Sequence, residues 1–146
     1  MSKRVGVALL VLVALIAGGT ALAHLSCIYF GPECYAAQMA PPVIVESAKV
    51  GGWLAPVGTV LVAGIFLVWA LYGLSAAKLI PRLLWLTPVV YLIGALCVIR
   101  GLLPIQLWLR HPEKVSDPVM IVGLVWLASG LMYILGYRAV RKSREC

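Results

Sequence analysis

Four apolar runs, at residues 5–23, 53–77, 83–104 and 119–137, divide this chain and leave it few ways to fold. Each is long enough to cross about 30 Å of hydrocarbon, which takes roughly 20 helical residues at a rise of about 1.5 Å each. The expected fold class is therefore an all-α membrane protein, a bundle of four transmembrane helices forming one membrane domain over residues 1–146. Composition agrees: 63% of the 146 residues are hydrophobic and 12% are charged, well outside the range of soluble domains. The net charge of +7 does not point to nucleic acid, because the basic residues cluster at the ends of the apolar runs and not along an amphipathic face. Their expected partners are membrane lipids, through anionic headgroups.

The flanks of the runs set the expected orientation, since Lys and Arg collect in cytoplasmic connections. Lys3, Arg4, Lys78, Arg82, Arg138, Arg141, Lys142 and Arg144 lie on one side, against Lys49, Arg110 and Lys114 on the other. With an even number of spans, both termini are expected in the cytoplasm and the connections 24–52 and 105–118 outside, which suits a bacterial inner membrane. Lys3-Arg4, the apolar stretch and Ala21-Leu22-Ala23 also mimic a cleavable signal peptide. The apolar core of 5–23 exceeds the roughly 7–15 residues usual in such peptides, which favours a retained span.

The short connection 78–82 contains Pro81 and implies a tight antiparallel hairpin of the second and third spans. The 24–52 connection divides at Pro41-Pro42, with short helices expected at 33–40 and 43–50, both on the membrane surface. Small residues at helical spacing mark candidate seams: Ala14 with Gly18, Gly94 with Gly101, and Gly123 with Gly130. Trp53, Trp85, Trp108, Tyr133 and Tyr137 fall near the expected interfaces and read as an aromatic belt.

Arg100 carries the most information, because a cation at the centre of a span costs about 2.5–3.5 kcal/mol on insertion scales. Lying one turn before Pro104, it is expected toward the outer leaflet, within snorkelling reach of the surface. Either it binds an anionic group, a lipid phosphate or a partner's carboxylate, or it pairs with Glu33 or Glu46. His24, Glu33, Glu46 and Arg100 together make the candidate binding cluster of the outer face. Cys27 and Cys34 share an outer connection where a disulfide is possible, although Cys97 is a competing thiol. Cys146, on the inner side, is expected reduced. His24, Cys27 and Cys34 do not form the ligand set of a metal site, so no metal or other cofactor is expected. No catalytic residue is assigned: H-E-x-x-H, G-x-S-x-G and C-x-x-C patterns are all missing from the sequence, and His111, Glu113 and Asp117 sit in a proline-flanked polar turn.

The runs His24-Leu25-Ser26-Cys27-Ile28-Tyr29-Phe30-Gly31, Trp69-Ala70-Leu71-Tyr72-Gly73-Leu74-Ser75 and Ile99-Arg100-Gly101-Leu102 resemble a family of small four-span proteobacterial inner-membrane proteins with no assigned activity. The resemblance implies that His24, Cys27 and Arg100 belong to a shared pattern, with Cys34 and Pro41-Pro42 as departures from it. The expected function is that of a non-enzymatic multi-pass protein binding a lipid, a protein partner or a further copy of itself. An immunity protein against a pore-forming toxin is one version of it. Metal or thiol-redox handling, or transport, is the alternative.

Overall fold

The computed structural model describes residues 1–142; Arg144 and Cys146, on which the sequence reading also drew, lie outside them. The described residues form α1 (Lys3–Phe30), α2 (Pro32–Ala37), α3 (Pro42–Lys49), α4 (Leu54–Ala76), α5 (Leu86–Arg110) and α6 (Asp117–Lys142), with a 3-10 turn at Pro112–Lys114. Helices α1, α4, α5 and α6 are each long and apolar enough to cross a membrane.

Two helices run on where hydropathy alone would have ended them. Helix α1 continues past Ala23 because its polar residues satisfy themselves on the preceding turns. Thr20 donates to the Ile16 carbonyl at 2.8 Å, His24 Nδ1 to that of Thr20 at 2.8 Å, and Ser26 to that of Ala23 at 2.7 Å. Helix α5 passes through Pro104 and ends at Arg110, so this proline does not mark the end of the span.

The chain divides into two compact units, one of Met1–Ala14 with the chain from Leu71 onward, the other of Leu15–Ala70. In the first, α5 and α6 run antiparallel along a seam of glycines. A Cβ on Gly101 would stand 2.5 Å from the Leu127 nitrogen, one on Gly94 2.6 Å from Ile134, and one on Gly130 2.6 Å from the Gly94 carbonyl oxygen. Gly123 receives Pro104 in the same way, at 2.8 Å. The seven-residue glycine spacings thus mark a real seam, in which only hydrogen fits. Along α1 the close approach is at Gly6, against Gly136 and Val140, and Ala14 lies against Gly73, whereas a Cβ at Gly18 would meet nothing within 4 Å.

The connection from α4 to α5 spans residues 77–85. Lys78 takes a left-handed φ of 64° as α4 ends, and the Leu79 amide reaches back to the Leu74 carbonyl at 3.0 Å. Ser75 then binds the turn twice, donating to the Pro81 carbonyl and accepting from the Leu83 amide, both at 3.0 Å. Tyr72 adds a bond to the Leu84 carbonyl at 2.8 Å.

Trp53, Trp85 and Trp108 are exposed, as a belt requires, but Tyr133 and Tyr137 are not. They are buried in the first unit, where the Tyr137 hydroxyl lies 2.7 Å from that of Thr87 and its ring meets Tyr91 edge-on. Tyrosine serves either setting, and the hydroxyl partner inside the helices decides this one.

Candidate functional site

In the second unit, residues 31–53 build a small helical cap. Gly31 ends α1 at φ 79° and ψ −157°, a conformation open in practice to glycine alone, and Pro32 starts α2 at once. Helix α2 closes with Met39 at φ 56°, its Ala40 amide bonding to the Tyr35 carbonyl at 3.0 Å. Pro42 opens α3, and Gly51 closes it at φ 68° with the Gly52 amide on the Ser47 carbonyl at 2.7 Å.

Cys27, at the end of α1, and Cys34, in α2, form a disulfide with their Cα atoms 5.1 Å apart. Cys27, Tyr35 and Ala55 are buried together, with Ile44, Val45 and Ala48 of α3 packed on them. The two short helices of the cap therefore share a core of their own. Three polar links tighten it. Gln38 donates to the Ala23 carbonyl at 2.6 Å, and the Ser47 hydroxyl accepts the Ala55 amide at 3.2 Å. The Thr59 hydroxyl is placed to donate to the Ala55 carbonyl at 2.7 Å and to the Tyr35 hydroxyl at 3.1 Å.

The expected binding residues are thus divided. His24, Glu33 and Glu46 belong to the second unit and Arg100 to the first. The ring of His24 stacks at a tilt on Phe66, 5.4 Å between centroids. Glu33 is exposed on α2, and Glu46 reaches Lys49 at 3.5 Å on the exposed side of α3. The sulfurs of Cys27 and Cys34 are bonded to each other and so cannot serve as thiolate ligands. Among the described residues, no three of His, Cys, Asp and Glu gather as a metal site would require.

Arg100 lies near the middle of α5. Helix α5 has 25 residues from Leu86 to Arg110, so its middle residue is Val98 and Arg100 lies two residues beyond, roughly 3 Å along the axis. It is exposed, in a surface made by Leu96, Ile99 and Leu103, all exposed as well. Pro104, four residues on, has no N–H to give the Arg100 carbonyl, so a cation and a carbonyl without its helical donor occupy the same level. Among the described residues of its own unit, Arg100 makes no ion pair.

Compared with known proteins, the chain matches no family model, no curated protein and no solved structure. The geometry of Arg100 and of the cap therefore has to speak for itself. What the basic position offers is an exposed cation on an apolar helix face. What the cap offers is a rigid, covalently closed surface.

Proposed function

We propose that this chain is a non-enzymatic, multi-pass protein of a bacterial inner membrane, both termini cytoplasmic, that binds another membrane protein through the face of α5 bearing Arg100. The observation that carries the reading is the exposed arginine near the middle of an apolar helix. A charge there is costly unless it meets an opposite charge. Half the hydrocarbon thickness is about 15 Å, so a lipid phosphate at the surface is a distant partner for it, even with snorkelling.

Charge accounting narrows the partner further. The acidic residues are Glu33, Glu46, Glu113, Asp117 and Glu145, so α1, α4 and α5 contain none and α6 has one only as its first residue. A second copy aligned in the membrane brings no carboxylate to the level of Arg100. A different protein with an Asp or Glu inside a span does.

Native mass spectrometry of the chain extracted gently from its own membrane tests the reading. Wild type should carry a second protein of defined mass, which Arg100→Leu loses and Arg100→Lys keeps in part. A partner retained by Arg100→Leu, a bare chain in every sample, or loss of a lipid alone would each overturn it.

A further inference from the structure

A cavity of about 390 Å³ opens in the first unit, where the 77–85 turn faces the start of α5 and the last turns of α6. Lys78, Arg82 and Arg141 line it, with the hydroxyl-bearing Thr87 and Tyr137 between them and Leu86 and Val140 as apolar wall. No carboxylate lines it among the described residues. We propose that this cavity is a phosphate site and that it takes the headgroup of an anionic phospholipid.

The fold fixes the backbone that carries these cations. Lys78 is itself the left-handed residue that closes α4, and Arg82 follows Pro81, whose carbonyl is bound by Ser75. Arg141 stands one helical turn after Tyr137 in α6. Arg82, on the 77–85 connection, and Arg141, on α6, face one concave space, and an anion between them is favoured by both charges.

Two neutral donors add direction. Thr87 and Tyr137 share one hydrogen bond of 2.7 Å, which uses one of their two hydroxyl protons and leaves the other for an acceptor oxygen. Leu86 and Thr87 are also the first residues of α5, where backbone N–H groups have no acceptor within the helix. A phosphate diester or monoester satisfies both kinds of donor together with the Arg82 and Arg141 charges. The apolar wall and the exposed Leu84 and Trp85 beside it suit an acyl-bearing molecule. Basic pockets between membrane helices are a known way of holding such headgroups.

The test uses the full chain in nanodiscs of phosphatidylcholine with and without phosphatidylglycerol or cardiolipin, read by native mass spectrometry. The variants are Arg82→Gln with Arg141→Gln, and, as a control for general surface charge, Lys3→Gln with Arg4→Gln. Wild type should retain one anionic lipid per chain over phosphatidylcholine. The Arg82/Arg141 pair should lower that occupancy at least tenfold at unchanged melting temperature, and Arg141→Lys alone should preserve most of it. The Lys3/Arg4 pair should leave it unchanged. Equal losses in both double variants, or full retention in the Arg82/Arg141 pair, would overturn the site. Should that pair melt lower, Thr87→Val with Tyr137→Phe decides, since it keeps the charges and removes only the hydroxyl donors: occupancy must fall, and unchanged occupancy overturns the site. Competition by millimolar inorganic phosphate would identify a free phosphate as the ligand and overturn the lipid assignment.

Discussion

At the level of single residues, conformation and charge can each contradict what a side chain is suited for. Met39 closes α2 at φ 56°, where a residue with a Cβ pays about 1–2 kcal/mol that glycine does not. Met39→Gly should therefore stabilise the protein by about 1 kcal/mol, less the greater entropy glycine loses on folding, seen as a raised midpoint of thermal unfolding in detergent. An unchanged or lowered midpoint would show that the methionine side chain contributes more than its backbone costs. Cys27→Ser opens the staple between α1 and α2. Closing so short a loop is worth about 2 kcal/mol, and the variant should lose that and expose residues 31–53 to protease, while disulfide-intact wild type resists. Gly31 and Gly51 take their left-handed angles at little cost, because glycine tolerates them well. Met39 and Lys78 announced nothing, since their left-handed backbones are imposed by the hydrogen bonds around them. Arg100 was legible as a cation in an apolar run, but the helix that carries it runs beyond Pro104 to Arg110, and Pro104 was a poor guide to that end.

At the level of elements, the seam between α5 and α6 was visible as glycines seven apart, because that spacing keeps them on one helical face. The partner of each helix was not visible. A glycine shows that something comes close and does not say what, which is why Gly18 misled and Gly6 with Gly136 went unmarked. The two cases predict opposite responses to one methyl group. Gly101→Ala drives a Cβ to 2.5 Å from the Leu127 nitrogen and should cost about 1–3 kcal/mol, through displacement of α6 along the seam. Gly18→Ala meets nothing within 4 Å and should be neutral or stabilise by up to about 1 kcal/mol, from helix propensity alone. Denaturation in detergent and SDS mixtures, followed by far-ultraviolet circular dichroism, separates them. Equal effects would mean that the α5–α6 contact yields easily, and that its close approach is not what holds those helices. The end of α1 was illegible for a related reason. His24 and Ser26 look like a membrane boundary to a hydropathy scale, yet each returns its polarity to its own helix and lets the chain continue to Phe30.

At the level of the whole molecule, the proposed orientation, with both termini cytoplasmic, rests on two separate signals. The first is electrostatic: among the described residues, Lys3, Arg4, Lys78, Arg82, Arg138, Arg141 and Lys142 fall at the ends that share one side in a four-span chain, against Lys49, Arg110 and Lys114 at the others. The second is chemical: a disulfide persists in an oxidising compartment, and the proposed orientation puts the connection that holds Cys27–Cys34 in one. Neither argument uses the other's residues. Under this proposal the charges set the orientation and the disulfide only reports it, so removing each should have a different effect, a sharper test than locating the termini. A fluorescent reporter fused after residue 142 should glow in the cytoplasm, and alkaline phosphatase inserted after Gly51 should be active outside. Cys27→Ser should leave both unchanged, because the disulfide reports the side and does not set it. Moving charge should act differently: Lys78→Gln, Arg82→Gln, Arg138→Gln and Arg141→Gln together, with Lys and Arg added at residues 47–52, should erode the bias and produce a mixed population. Phosphatase activity after residue 142 in the wild type would reverse the assignment and place the cystine in a reducing compartment, where it would not endure.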